Sequence, residues 1–182
     1  MEDRGKTARG LLAVYTGNGK GKTTAALGLC VRAVGYGHRV AFIQFVKGSW
    51  HYGELDGIRR LAPEVSLEAL GKGFVGIVDD KLPREEHERA AGATLAEARR
   101  IITAGEHQIV ILDEVNVALD LGLIELADVL DVLKLRPAGM HVVCTGRGAP
   151  PELVAAADLV TEMREVKHPY QQGLQAQRGF DY

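Results

Sequence analysis

Short apolar runs alternate along the chain with stretches whose apolar residues recur every three or four positions. Apolar runs of this length predict strands, and those flanked by helices are typical of a sheet buried on both faces. We expect strands at 11–16, 39–46, 65–70, 108–115, 140–146 and 159–166. Because helices separate most of them, the pattern predicts an α/β fold with a mostly parallel sheet, and no linker or repeat divides the single domain expected over residues 1–182.

The predicted helices begin and end at residues that favour helix termini. The first follows Gly21 and stops near Gly35, and the second has Pro83 in its first turn. Segments 123–135 and 150–158 predict two more helices. The apolar spacing assigns Ala25, Leu29, Arg32 and Ala33 to the first helix and Ala91, Leu95, Ala98 and Ile102 to the second.

Between the first strand and the first helix lies "TGNGKGKTT", residues 16–24. The usual phosphate loop, G-x-x-x-x-G-K-[ST], would place its first glycine where this chain has Thr16, and Gly17 comes one residue late. Such a loop turns its N–H groups and the helix N-terminus towards an anion, with a lysine on the phosphates and a hydroxyl on Mg²⁺. The predicted nucleotide-binding residues are Gly17, Asn18, Gly19, Lys20, Gly21, Lys22, Thr23 and Thr24.

An acidic pair, Asp113 and Glu114, ends the most apolar predicted strand. A carboxylate at that place usually holds Mg²⁺, directly or through water. Glu114 can then act as a second metal ligand or as a base for water, and the residues alone leave both roles open.

Other loops at the same end of the sheet contain side chains that suit a ligand. Lys47 and Trp50 follow the second strand, Phe74 lies in "LGKGFVG", and Arg147 lies in "TGRG". An arginine there can neutralise phosphate charge. The alternatives are loop packing for the aromatic residues, a surface ion pair for Arg147 and a packed tail for residues 166–182.

Composition excludes some classes of protein. A formal net charge of −2 gives no general attraction to nucleic acid or anionic membranes. The N-terminal residues do not resemble a signal peptide, no apolar run approaches a membrane span, and Cys30 and Cys144 are expected as reduced core thiols, so we expect a cytoplasmic protein. The histidines lack metal-ligand spacing, and His87 in "REEHER" is expected on a solvated helix face.

Taken together, these loops resemble the CobA-type ATP:corrinoid adenosyltransferases. The matching stretches include "TGNGKGKTTAALG", "QFVKGSW", "GKGF", "VILDEVNVAL", "TGRG" and "VKHPYQQGLQAQRGFDY". The shifted loop together with the final "AQRGFDY" is highly specific. The resemblance implies a three-layer RecA-like P-loop fold, a homodimer, and transfer of the 5′-deoxyadenosyl group of ATP to Co(I) of a corrinoid, with release of triphosphate.

The resemblance also implies roles for individual residues. Lys22 and the loop amides would hold the triphosphate, Thr23 and Glu114 would hold Mg²⁺ with support from Asp113, and Arg147 and Lys47 would contact the nucleotide. Phe74 would contact the corrinoid, and we predict Trp50 as a second corrinoid-binding residue. The family holds ATP with reversed polarity, and the late glycine is interpreted as a trace of that reversal. A reduced flavodoxin-type protein is the expected electron donor.

The chain departs from the family pattern at two places. The usual G-F-T-W is here Gly73-Phe74-Val75-Gly76, so a glycine replaces the aromatic residue that lies near the corrin. Only ten residues precede the first apolar run, fewer than the helix with which some relatives cover the partner's site. Trp50 or Tyr52 is the candidate for compensating the aromatic residue that is missing.

Three other functions are compatible with a phosphate loop. A RecA-like ATPase would release orthophosphate and needs a basic face that the composition does not suggest. A binding-only regulator would not need the intact Lys22-Thr23 and Asp113-Glu114 pairs. A nucleoside kinase needs a base near a sugar hydroxyl, for which the sequence offers no candidate.

Overall fold

The computed structural model describes residues 9–46, 52–69 and 82–181. The strands of this part are β1 (Leu12–Thr16), β2 (Val40–Gln44), β3 (Val65–Ala69), β4 (Ile109–Asp113), β5 (His141–Thr145) and β6 (Leu159–Glu162). Its helices are α1 (Lys22–Val34), α2 (Gly53–Arg59), α3 (Arg84–Ala104), α4 (Val115–Asp120), α5 (Leu126–Lys134) and α6 (Pro151–Ala156), followed by a 3₁₀ turn at Pro169–Gln172.

All six strands belong to one parallel sheet in the order β3-β2-β4-β5-β1-β6. The predicted α/β fold is therefore confirmed, and the sheet of the described residues is parallel throughout. β5 lies between β1, which leads into the glycine-rich loop, and β4, which ends in Asp113. Parallel strands end at one edge of a sheet, so the loops after β1, β4 and β5 meet there.

Alternate residues of the central strands face opposite helical layers. Val40 and Phe42 pack with α1 residues in one cluster, whereas Ala41 and Ile43 pack with α3 residues in the other. This alternation follows from the two-residue period of a strand. The result is the expected three-layer arrangement, with a sheet buried on both faces.

The buried face of α1 differs from the prediction. Its buried residues are Lys22, Ala26, Cys30 and Ala33, so only Ala33 of the predicted face is correct. Lys22 turns inward beneath the loop, and positions four, eight and eleven residues later follow it onto the sheet because of the helical period. The buried face of α1 thus includes a charged residue, which the apolar pattern alone does not reveal.

The face of α3 contains the four residues predicted and one that was predicted elsewhere. Ala91, Leu95, Ala98 and Ile102 are buried as expected. His87, expected on a solvated face, is 4% exposed. It precedes Ala91 by one helical turn, so the period that buries the alanine buries the histidine as well.

The strands are shorter than the apolar runs from which they were predicted. β6 stops at Glu162 rather than near residue 166, and its residues are exposed at the edge of the sheet.

Cys30 and Cys144 are free and buried, as predicted, and burial raises the pKa of each thiol to about 12. No helix of the described ranges is both long and apolar enough to cross a bilayer.

Candidate nucleotide site

The loop after β1 starts one residue later than the common pattern because Thr16 completes the strand. Thr16 pairs with Glu162 of β6, and Gly17 then turns with a φ of 91°. A Cβ atom at Gly17 would lie 2.5 Å from the carbonyl oxygen of Met163, and one at Gly19 would lie 2.7 Å from the same oxygen. Both positions therefore require glycine, since the chain after β6 passes directly against the loop.

Lys22 lies beneath this loop. Its Nζ donates hydrogen bonds to the carbonyl oxygens of Gly17 and Gly19, each at 2.7 Å, and the residue is 7% exposed. Burial lowers the pKa of Lys22, the charge of Glu114 opposes this shift and that of Arg147 adds to it. A bound anion would compensate the lost solvation of the ammonium group.

Asp113 is fixed from several directions at the end of β4. The residue is fully buried, and its carboxylate accepts hydrogen bonds from Thr23 Oγ1 at 3.0 Å, Thr145 Oγ1 at 2.7 Å and Gln44 Nε2 at 3.2 Å. These donors come from α1, β5 and β2, so the carboxylate joins three elements at one edge of the sheet. Its position behind Thr23 is set by tertiary contacts.

Glu114 has the only positive φ among the non-glycine residues described, 62°, and precedes α4. Its N–H donates to Thr145 Oγ1 at 3.0 Å. The left-handed backbone at Glu114 directs two consecutive acids differently, with Asp113 buried in the sheet and Glu114 lining the adjacent cavity. A non-glycine residue in this region of φ and ψ is uncommon and often marks a functional site.

The oxygen groups at this point suit a magnesium ion. Thr23 and Glu114 line one cavity, and the Thr23 hydroxyl donates to Asp113, which leaves its oxygen lone pairs for a cation. Hard oxygen ligands of this kind suit Mg²⁺, which usually takes one or two carboxylates together with substrate phosphates. In the described ranges, this site included, no group of three or more His, Cys, Asp or Glu residues could hold a metal.

The cavity beside these groups has a volume of about 890 Å³, which is in the range of small-molecule sites. Loop residues form one side, the start of α2 forms another, and residues from the end of the described chain form a third. The lining residues are Gly19, Lys20, Gly21, Lys22, Thr23, Thr24, Leu27, Val46, Tyr52, Gly53, Glu54, Glu114, Val117, Arg147, His168, Gly179, Phe180 and Asp181.

Comparison with known proteins identifies the family. The family model described as ATP:corrinoid adenosyltransferase BtuR/CobO/CobP matches residues 8–182. The chain belongs to this family. The resemblance noted in the sequence is thereby confirmed, and the family is one of enzymes.

Relatives of this adenosyltransferase family match over most of their length. A corrinoid adenosyltransferase of Pseudomonas aeruginosa is 42% identical over 174 residues, covering 96% of this chain and 84% of that protein. Those of Escherichia coli K12 and Salmonella typhimurium are each 38% identical over 175 residues, covering 96% of this chain and 86% of theirs. The flagellar accessory protein FlaH of Methanocaldococcus jannaschii shares the fold at 11% identity, with a TM-score of 0.55 over 85% of this chain and 71% of that one.

Most of the predicted site residues of this adenosyltransferase-family chain border the cavity. Lys20, Lys22, Thr23, Glu114 and Arg147 do so together with Gly19, Gly21 and Thr24. Gly17 and Asn18 do not line it, although the carbonyl of Gly17 holds Lys22. Lys47, Trp50, Phe74 and Gly76 lie outside the described residues.

Several residues at the site of this family member were not among those predicted from the sequence. Thr145 and Gln44 bind the carboxylate of Asp113, and His168, Phe180 and Asp181 line the cavity. A usable signal exists for the first two, because five of the six strands end in a polar residue: Thr16, Gln44, Asp113, Thr145 and Glu162. A polar residue that closes an apolar strand of a parallel sheet faces the ligand-binding edge.

Proposed function

We propose that the protein transfers the 5′-deoxyadenosyl group of ATP to the Co(I) centre of a corrinoid and releases triphosphate. The observation that supports this best is the joining of the glycine-rich loop, Glu114 and Arg147 at one cavity, with Asp113 bonded to Thr23 of that loop, in a chain of the adenosyltransferase family. The loop and Arg147 suit a polyphosphate, and the acidic pair suits the magnesium ion that accompanies it.

In this reaction the cobalt atom is the nucleophile. The electron pair of Co(I) attacks C5′ of the ribose, a Co–C bond forms, and the C5′–O5′ bond breaks. The bonding electrons remain on O5′, which leaves as part of triphosphate, and cobalt becomes formally Co(III). Because the substrate supplies the nucleophile, the protein contributes position and electrostatic stabilisation rather than a general base.

Each group at the cavity has a proposed task. Lys22, the loop N–H groups and Arg147 bind the triphosphate and stabilise the negative charge that develops on it. Thr23 and Glu114 would hold Mg²⁺, with Asp113 orienting the Thr23 hydroxyl at 3.0 Å. When bound, that ion would neutralise charge on the leaving triphosphate. Glu114 then acts as a metal ligand and not as a base for water.

The register of the loop is part of the proposal. Gly17 is the first residue of the turn, and only three residues separate it from Gly21. We attribute this shortened loop to a nucleotide held in reversed polarity, which places the α-phosphate end where the leaving charge must be stabilised. The full triphosphate, rather than a γ-phosphoryl group, is then the entity that the loop is built to bind.

The corrinoid is proposed to contact Phe74 and Trp50. An apolar aromatic face would exclude water from the cobalt and favour loss of its lower axial ligand. Glycine at position 76 in place of the family's tryptophan makes Trp50 or Tyr52 the candidate replacement. Tyr52 lines the described cavity, which supports this assignment.

The remaining parts of the proposal concern the setting of the reaction. We expect a homodimer, a reduced flavodoxin-type electron donor and a cytoplasmic location, with no role for nucleic acid or membrane. Two free buried thiols support a reducing compartment. Sedimentation of the purified protein tests the dimer, and replacement of the chemical reductant by a reduced flavodoxin tests the donor.

One anaerobic assay tests the function directly. The protein is mixed with ATP, Mg²⁺ and chemically reduced cob(I)alamin, the corrin spectrum is followed, and the phosphate product is identified. We expect adenosylcobalamin and triphosphate in equal amounts. Orthophosphate with an unchanged corrin spectrum would instead identify a hydrolase and restore Glu114 as the base.

Separate variants test the two halves of the site. Phe74→Ala and Trp50→Ala are expected to lower the rate of transfer while ATP binding is retained. Tyr36→Ala is the matched aromatic control, because Tyr36 is 79% exposed and does not line the cavity. If ATP binding in the Phe74 and Trp50 variants fell as much as the rate of transfer, a corrinoid-specific role would be contradicted.

A further inference from the structure

A single hydroxyl group connects the two acidic residues of the site. Thr145 Oγ1 accepts the N–H of Glu114 at 3.0 Å and donates to the carboxylate of Asp113 at 2.7 Å. Thr145 is fully buried and does not line the cavity. Its hydroxyl therefore uses its proton and one lone pair on the groups that carry Asp113 and Glu114.

The position of this hydroxyl explains how two consecutive acids keep different directions. The bond from Glu114 N–H holds the peptide at which the backbone enters its left-handed turn, with φ at 62°. The bond to Asp113 holds the carboxylate that in turn accepts from Thr23 Oγ1. Loss of the hydroxyl would release both contacts together, and the strained turn would lose one of its constraints.

We propose that Thr145 is a positioning residue that sets the geometry of Thr23, Asp113 and Glu114 for the magnesium–triphosphate complex. This inference rests on the proposed function, because it assigns a metal to that site. Thr145 acts through its neighbours, so its removal affects binding that depends on Mg²⁺ more than binding of the bare nucleotide. Groups that orient metal ligands commonly change metal affinity by about 10-fold or more when they are removed.

The test compares Thr145→Val, which removes the hydroxyl from a side chain of the same shape, with Thr145→Ser, which retains it. ATP binding is measured by calorimetry across a range of Mg²⁺ concentrations and again in EDTA, without corrinoid. We expect Thr145→Val to raise the Mg²⁺ concentration for half-maximal binding about 10-fold, with Thr145→Ser within about 2-fold of the wild type. Binding in EDTA should change less than about 2-fold in either variant, since no metal ligand is then engaged.

Thr94 offers a matched control for loss of a buried hydroxyl. It is fully buried, and its Oγ1 donates to the backbone oxygen of Ala90 at 2.8 Å within α3. Thr94→Val should leave the Mg²⁺ dependence unchanged. If Thr145→Val does not fold, Thr145→Ala provides the same comparison with Thr145→Ser.

The outcomes separate this inference from the proposed function. If the wild type binds ATP with a Mg²⁺ dependence and Thr145→Val keeps it, Thr145 has no positioning role. The same conclusion follows if Thr145→Ser loses as much as Thr145→Val. If wild-type binding shows no Mg²⁺ dependence, the assigned metal itself is wrong, and the proposed function fails at that point.

A second inference comes from a different contact, between two residues that line the cavity. Lys20, in the loop, forms an ion pair with Asp181 at 2.9 Å, and its Nζ lies 5.8 Å from the centroid of the Phe180 ring. Asp181 also accepts the N–H of Gln177 at 2.8 Å. The hydrogen bond from Lys20, followed by that from Gln177, lowers the pKa of Asp181, so it carries a negative charge at neutral pH.

This carboxylate lies on the wall of a cavity whose loop suits a polyanion. Triphosphate would attract Lys20 and repel Asp181. The triphosphate and the Asp181 carboxylate would therefore compete for the ammonium group of Lys20. The Lys20 and Asp181 side chains are 40% and 23% exposed, so their pairing is weak enough for a polyanion to displace it. Residues 177–181 therefore compete with triphosphate for the loop.

We infer that triphosphate displaces residues 177–181 from Lys20, and that these residues return when it leaves. This inference also rests on the proposed function, since triphosphate is its product. Return of the Asp181 carboxylate to Lys20 would favour release of the bound product. Residues 177–181 thus compete with the product for Lys20.

The test uses tripolyphosphate with Mg²⁺ and the full chain. Asp181→Asn should bind tripolyphosphate about 3-fold more tightly than the wild type, because the competitor and its repulsion are removed. Asp131→Asn is the control, since Asp131 forms a comparable ion pair with Lys134 at 2.8 Å on α5. In amide exchange, tripolyphosphate should speed exchange across residues 177–181 of the wild type.

Opposite results would overturn the displacement. Weaker binding by Asp181→Asn, or slower exchange of residues 177–181 with tripolyphosphate, would mean that the segment closes on the ligand instead. A further outcome is that tripolyphosphate binds neither the wild type nor Asp181→Asn although ATP serves as an adenosyl donor in the assay above. In that case the displacement is wrong and the proposed function stands. If neither ligand binds, the proposed function is wrong as well.

Discussion

The buried end of the cavity and its exposed rim both contain charged groups, but different partners hold them. We call Lys22, Thr23, Asp113 and Thr145 the site floor. There the charges are held by hydrogen bonds with backbone carbonyls, hydroxyls and an amide, and the floor residues are buried or half-buried. Such bonds lie away from solvent and keep their geometry without a ligand.

We call Lys20, Phe180 and Asp181 the site rim. There a partly exposed ion pair and a contact between an ammonium group and an aromatic ring join two segments that are distant in sequence. Exposed ion pairs contribute little and are screened by salt. We therefore expect the floor to keep its geometry when a ligand binds and the rim to change.

The two lysines of the loop give the strongest test of this difference. Lys22→Ala should lower the rate of transfer and the affinity for ATP by roughly 100-fold, because the buried charge proposed to bind the triphosphate is lost. Lys20→Ala should change either quantity by about 3-fold, because its charge is exposed and shared with Asp181. Binding by calorimetry and single-turnover rates measure both, with Lys134→Ala as the exposed control. Similar losses in the two loop variants would remove the distinction between floor and rim.

The pH dependence of binding sharpens the comparison at the floor. Burial lowers the pKa of Lys22 in the free protein below the usual value for lysine, and a bound polyanion would raise it again. Affinity is therefore highest below the lowered pKa and falls as the pH rises through it. We expect tripolyphosphate binding to weaken as the pH rises from neutrality towards the usual lysine pKa of about 10.4.

Lys22→Arg provides the control for this pH effect, since a guanidinium group stays protonated throughout that range. Its affinity should be lower than that of the wild type but nearly constant with pH. A wild-type affinity that does not vary between the same limits would show that Lys22 keeps its proton without a ligand.

The backbone at Glu114, the residue after Asp113 of the floor, tests whether the site holds local strain. Glu114→Gly and Glu114→Ala both remove the carboxylate, but only alanine keeps the cost of a left-handed φ of 62°. The glycine variant should be more stable than the alanine variant by about 1 kcal/mol in urea unfolding. At Glu97, inside α3, the order should reverse, with glycine less stable by about 1 kcal/mol. The same order at both positions would mean that Glu114 is not strained.

Much of the floor could be predicted from the sequence, for a local reason. The loop, its lysine and the acidic pair each occupy a fixed place relative to a strand or helix, so spacing alone identifies them. Even there, the predicted face of α1 was wrong except at Ala33, because the buried residues follow the helical period from Lys22 through Ala26 and Cys30. Thr145 could have been found only by comparing the last residues of all the strands.

The rim could not be predicted in the same way. The contact between Lys20 and Asp181 joins residues far apart in sequence, and neither belongs to a periodic element. The polar and aromatic end of the chain was compatible with a packed tail or with a site, because composition does not determine where a segment lies. Its place against the loop depends on the sheet order, which brings β6 beside β1.

Salt dependence is the smallest effect and tests the rim alone. Screening weakens the repulsion between Asp181 and tripolyphosphate, so the advantage of Asp181→Asn over the wild type should fall from about 3-fold at low salt to less than about 1.5-fold near 1 M. Both proteins should bind more weakly as salt rises, because Lys20 and Arg147 are exposed. The ratio of the two dissociation constants, measured by calorimetry at each salt concentration, removes this shared loss. A ratio that stays constant would indicate that Asp181 acts by shaping the segment rather than by its charge, and the rim would then resemble the floor.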